Sequence, residues 1–146
     1  MIACRGFSEL SAGTERHLFL DPSLIAQGEG FQLVVNPARR EAVVIKRDHP
    51  WEEFMITFYL TVLDENGKLR MWYVCRTSPQ EANLAYAEST DGIRWTKPEL
   101  GIHAYRGSKA NNLVGVASLE GNVFRDPNAR SEDERYVYVS TVFRGG

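Results

Sequence analysis

From residue 54 onward, apolar and polar positions alternate with the period of two expected of half-buried strands. In 84–89, Leu84, Tyr86 and Glu88 fall on one side, and Ala85, Ala87 and Ser89 on the other. Asp91-Gly92 follows as a tight-turn pair, since Gly accepts the positive φ of a hairpin turn. Ile93 to Thr96 is read as the returning strand, with the Trp95 ring laid over apolar surface and Pro98 ending the ladder. The Asp91 carboxylate is assigned to the turn amides.

Upstream, "FMITFYLTVL" (54–63) is rich in aromatic and β-branched residues, and "DENGK" supplies a turn at Asn66-Gly67. In 69–76, Leu69, Met71, Tyr73 and Cys75 share one face, and Arg70, Trp72, Val74 and Arg76 the other. Short apolar runs at 17–20, 31–35 and 42–46 are further strand candidates. Helical periodicity is scarce; "SELSAGTERH" would make a turn that Gly13 weakens. Residues 54–97 thus predict four consecutive strands in an antiparallel meander. The pattern restarts with short strands at 111–116 and 121–126, a polar loop, and a strand at 135–143. The expected fold is all-β, built from four-stranded meander blades of the kind that form β-propellers. The chain is read as a single partial propeller domain, 1–146. Residues 1–50 hold N-terminal strands, 51–100 the first blade and 101–146 an incomplete second blade.

One and a half blades would expose apolar faces and open edges. Three arrangements would cover them: further C-terminal blades, a homo-oligomer, or the strands at 17–46 folded back as a cap.

Composition narrows the partners. The 146 residues are 43% hydrophobic and 25% charged, with net charge -2. No basic stripe marks a nucleic-acid binder, and no apolar run approaches a membrane span. The N-terminus lacks the basic start and apolar stretch of a signal peptide, so a cytoplasmic location is the default expectation, with export through an upstream leader still open. Cys4 and Cys75 make no disulfide framework. His17, His49 and His103 have no ligand spacing, so no metal or other cofactor is expected.

The stretch "KLRMWYVCRTSPQEANLAYAESTDGIRWTKPELGI" resembles the first blade of five-bladed propeller glycoside hydrolases of families 32, 43 and 130. In those proteins a strand like Y-H-L-F-Y-Q precedes G-H-A-x-S-x-D-x-x-x-W. "GSKANNLV…GNVFRDPNARSEDERYVYV" is similar to the opening of their next blade. The resemblance covers about residues 50–143 and implies a carbohydrate-active protein with carboxylates around a central axis. "FRDPN" is similar to the R-D-P motif of the invertase type, which implies a catalytic role for Asp126, bonding sugar hydroxyls and stabilising the oxocarbenium-like transition state, with Arg125 beside it. The same residues also suit a turn, Asp126 capping loop amides. "WEEF" stands where the invertase type carries W-M-N-D-P-N-G, making Glu52 (or Glu53) the nearest counterpart of the nucleophile, although the Asp and the Pro-Asn-Gly are absent. "FLDPS" is similar to the Asp-Pro of the arabinanase base, which points to Asp21. Trp51 and Asn112 complete the substrate-binding candidates. Aromatic residues, however, fill cores at least as readily as they stack on sugars.

The family's general acid is a Glu on a later blade, and Glu120 lies in no matching motif. The expected function is therefore glycoside hydrolase-like in a complete propeller, with the isolated chain lacking its acid. The alternative is a non-catalytic or truncated module that binds carbohydrate or a protein partner.

Overall fold

The computed structural model describes residues 34–35, 37–118 and 120–141. All elements below lie in one compact unit, Glu41–Gly146. Six strands and two 3-10 turns make an all-β architecture among these residues. The expected strand at 17–20 and candidate Asp21 lie outside the described residues, as does most of 31–35.

β1 (Met55–Glu65) and β2 (Lys68–Arg76) form a hairpin through Asn66 and Gly67, at φ 57° and 83°. That is the double positive φ the Asn-Gly pair supplies cheaply. Asp64 Oδ1 secures the turn by accepting from Gly67 N at 3.0 Å. Near its start β1 bulges: Ile56 faces Cys75 and Leu60 faces Tyr73, four steps along β1 against two along β2. β3 (Ala82–Ser89) pairs with β2 along its whole length, from Leu69↔Ser89 to Arg76↔Ala82.

The two faces read from the alternation are the two faces of this sheet. Met71, Tyr73, Cys75, Ala85 and Ala87 pack on one side with Leu113, covered by Trp51, Ile45, Trp95 and Tyr105. Trp72, Val74, Leu84 and Tyr86 pack on the other with Val123, Tyr136 and Tyr138.

The meander has four strands, but the fourth is not the one the sequence indicates. Residues 93–96 make a single bridge, Glu88↔Thr96, because the Asp91 carboxylate takes the amides of Ile93 and Arg94 at 2.9 and 2.8 Å. Those amides are lost to a ladder. Gly92 sits at φ 72° in the turn, and Trp95 Nε1 donates to its carbonyl at 3.0 Å. The free edge of β3 is completed by β4 (Leu113–Val116), and Tyr86 N donates to Asn112 O at 2.9 Å. Sheet order is β1-β2-β3-β4. Residues 113–116 therefore finish the first sheet instead of opening a second. The expected strand at 42–46 is irregular chain; Ile45 still packs against the core.

β5 (Gly121–Arg125) and β6 (Tyr136–Ser140) form a separate antiparallel pair, joined by a loop with a 3-10 turn at Glu132–Glu134. This pair covers the Trp72 face. β5 also lies along β1. Val123 N donates to Thr61 Oγ1 at 3.0 Å, and Tyr136, opposite Arg125, donates to Glu65 Oε2 at 2.5 Å. Position 61 meets 123 and position 65 meets the level of 125, so the two strands run the same way.

Candidate functional site

Three sequence candidates converge at the start of β1. The 3-10 turn Pro50–Glu52 buries Trp51 and Glu52 beneath the Tyr73 face. Glu52 is fully buried, and its carboxylate accepts five hydrogen bonds. Lys97 Nζ lies 2.8 Å from both oxygens. Tyr73 OH donates to Oε1 at 2.6 Å, and the amides of Asp48 and His49 donate to Oε2 at 3.0 and 3.2 Å. Lys97 also donates to Asp48 Oδ1 at 2.5 Å and Lys46 O at 2.7 Å. Burial raises the Asp48 pKa, but the Lys97 hydrogen bond and charge outweigh it and hold the carboxyl below its ordinary value. Burial and then the Glu52 carboxylate push the Tyr73 phenol up. A carboxylate offers about four lone-pair positions. Glu52 has none left for activating a water or attacking a sugar.

Asn112 is the second hub. Its Oδ1 accepts from Trp51 Nε1 at 2.8 Å, and its Nδ2 donates to Tyr73 OH at 2.9 Å and Tyr86 O at 2.7 Å. Trp51 stacks on His49 at 4.6 Å and meets Tyr105 edge-on at 5.8 Å. Trp51 and Asn112 are thus interior groups joining the 50–52 turn to the sheet. Glu53 lies at the exposed end of this turn, its carbonyl accepting from Arg47 at 2.9 Å.

Asp126 and Arg125 lie elsewhere, at the C-terminal end of β5. Asp126 Oδ1 accepts from Asn128 N at 2.8 Å, the turn-capping bond that Asp-Pro-Asn favours. Around it, Arg125, Arg130, Glu132 and Arg135 line an open depression of about 370 Å³. Because β1 and β5 run in the same direction, this depression sits beside the Glu65 end of β1. Glu52 sits before the Met55 end. The turn folds back so that the Glu52 carboxylate meets Tyr73, level with Leu60, and the five residues from there to Glu65, at ~3.3 Å each, put roughly 17 Å along the sheet between the two.

A polar ladder that the sequence reading passed over joins these strands. Glu65 Oε2 accepts from Arg70 Nε at 2.6 Å and from Tyr136 OH. Arg70 NH1 donates to Tyr86 OH at 2.8 Å, Tyr86 to Glu88 Oε2 at 3.1 Å, and Lys68 pairs with Glu88 at 2.8 Å. The Tyr136 hydrogen bond, then Arg70, holds the Glu65 carboxyl below its ordinary value; the Lys68 hydrogen bond does the same for Glu88. Burial pushes the Tyr86 phenol up to about 12. The signal was available in the alternation, which puts Arg70 and Trp72 on one face of β2. Nothing local marks Lys97, whose partners are 45 and 49 residues away.

Among the described residues no group of three or more His, Cys, Asp or Glu side chains could hold a metal ion. Among them, too, no helix is long and apolar enough to cross a membrane. Compared with known protein families, curated proteins and solved structures, the chain matches none.

Proposed function

We propose that this chain is a segment of a carbohydrate-handling β-propeller, related to the glycoside hydrolases, whose own residues bind sugar through the loop after β5. The observation that carries the reading is the placement of β5. A four-stranded meander is followed by a strand lying beside its first strand in the same direction, the relation between first strands of consecutive blades around an axis. The exposed apolar side chains Phe58 and Val139, at 81% and 57% of full exposure, are consistent with sheet faces that a further blade or a second copy would cover.

Binding is favoured over bond cleavage for a geometric reason. Paired carboxylates in glycosidases stand about 5–10 Å apart. Glu52 and Asp126 are separated by roughly 17 Å along the sheet, and Glu52 is saturated. In this reading Asp126 and Arg125 touch sugar, whereas Glu52, Trp51 and Asn112 hold the scaffold. The alternative, a module that binds a protein partner, draws on the same exposed apolar groups.

The test is a panel of oligosaccharides and aryl glycosides against the parent chain and Asp126→Asn, with melting temperature measured on both. Sugar binding that Asp126→Asn weakens at unchanged melting temperature supports the reading. Sugar binding that the substitution leaves intact removes the loop from it, and no binding by the parent overturns it.

A further inference from the structure

The loop between β5 and β6 carries more positive charge than its fold uses. Three guanidiniums, Arg125, Arg130 and Arg135, line the depression against two carboxylates, Asp126 and Glu132, while Asp133 and Glu134 of the same loop are not in its lining. Arg135 is committed: it pairs with Glu132 and lies over the Tyr136 ring at 5.9 Å. Asp126 is committed through Oδ1 to the Asn128 amide. Arg125 and Arg130 are exposed, and among the described residues neither guanidinium has an ion-pair or hydrogen-bond partner. The Arg130 backbone, by contrast, is fixed, its amide donating to Glu134 Oε2 at 3.3 Å. So is the backbone that carries Arg125, one end of a β5–β6 ladder continued by the Asp126 N to Arg135 O bond at 2.9 Å.

We infer that this depression selects an anionic sugar, one carrying a carboxylate, sulfate or phosphate group. The inference rests on the carbohydrate reading above and adds the charge of the ligand to it. Free guanidiniums present planar donor forks that match an oxyanion two bonds at a time, and they stay charged at any physiological pH. Asp126, the lining carboxylate not paired with an arginine, retains lone pairs for sugar hydroxyls. A neutral sugar would meet Asp126 and Arg125 through its hydroxyls and leave both positive charges without a counter-charge. An oxyanion on the same ring would engage them.

The full chain and its Arg125→Gln/Arg130→Gln variant would be titrated with tetragalacturonate, a sulfated tetrasaccharide and a hexose 6-phosphate. The methyl-esterified, desulfated and dephosphorylated counterparts and inorganic phosphate serve as controls. The expected result is at least one acidic sugar bound about ten-fold or more tightly than its neutral counterpart. The double variant should lose that margin at unchanged melting temperature, and 300 mM salt should reduce it. Equal affinity for acidic and neutral sugars overturns the inference and leaves the carbohydrate reading standing. Inorganic phosphate bound as tightly as any acidic sugar overturns it as well, since the sugar then contributes nothing. A margin that survives the double variant overturns the site assignment. No sugar bound at all removes this inference and the carbohydrate reading together.

Discussion

Lys97 Nζ sits 2.8 Å from both carboxylate oxygens of Glu52, the lysine side chain 6% exposed and the glutamate not at all. This interior ion pair ties the 48–52 turn to the chain beyond the Asp91 turn. Removing one member of a buried pair leaves the other charge without compensation, at about 3–5 kcal/mol. Lys97→Met should lower unfolding free energy by about 3 kcal/mol or more in urea titrations, and Glu52→Gln by less, because Asp48 still pairs with Lys97. The double variant should lose less than the sum. Additive losses would mean that the two groups act independently.

Asn112→Ala removes the acceptor of Trp51 Nε1 and the donor to Tyr73 OH and Tyr86 O at once. Buried polar groups left unpaired cost about 1–3 kcal/mol each. A loss of about 3 kcal/mol is expected, with a shift in Trp fluorescence as the Trp51 ring is released. A midpoint within experimental error of the parent would rule out the hub.

Burial, and then the Glu52 charge, push the Cys75 thiol up to about 12, and its S–H donates to Asn83 O at 3.6 Å. Only the thiolate is nucleophilic. In a Cys4→Ser background, a disulfide reagent should label the native chain no faster than the sheet opens. Labelling should become immediate in denaturant. Prompt modification of the native chain would contradict the burial.

Acid should loosen the ladder between β1 and the β5–β6 pair. Glu65 and Glu88 are held below the ordinary Glu value of 4.5, by Tyr136 and Lys68 respectively. A depressed carboxyl contributes stability that is complete above its unfolded pKa and disappears as pH falls through the folded one. Urea midpoints should therefore be insensitive to these two groups above about pH 5 and should fall below about pH 4.5. Glu65→Gln should flatten that decline. An unchanged acid slope in the variant would take Glu65 out of the account.

Much of the fold was legible locally. The Asn66-Gly67 turn, the two faces of β2 and β3, the Asp91 turn and the β5–β6 pair all follow from side-chain period and from residues that tolerate positive φ. The fourth strand was not legible. Two segments compete for the edge of β3, and the Asp91 carboxylate settles the contest by drawing the Ile93 and Arg94 amides out of pairing. The candidate site was half legible. Trp51, Glu52 and Asn112 do converge, but as interior supports.

By itself the sequence determined which residues alternate, where the chain turns and which side chains carry charge, because those properties are set within a few bonds. Tertiary structure alone decided what each charge is used for. Glu52 and Asp126 are both carboxylates beside strands, yet one is encircled by donors that include distant segments and the other is half-buried, capping its own loop near unpaired arginines. That difference depends on which segments, tens of residues apart, are brought within 3 Å, and pairing at that range leaves no mark in local spacing.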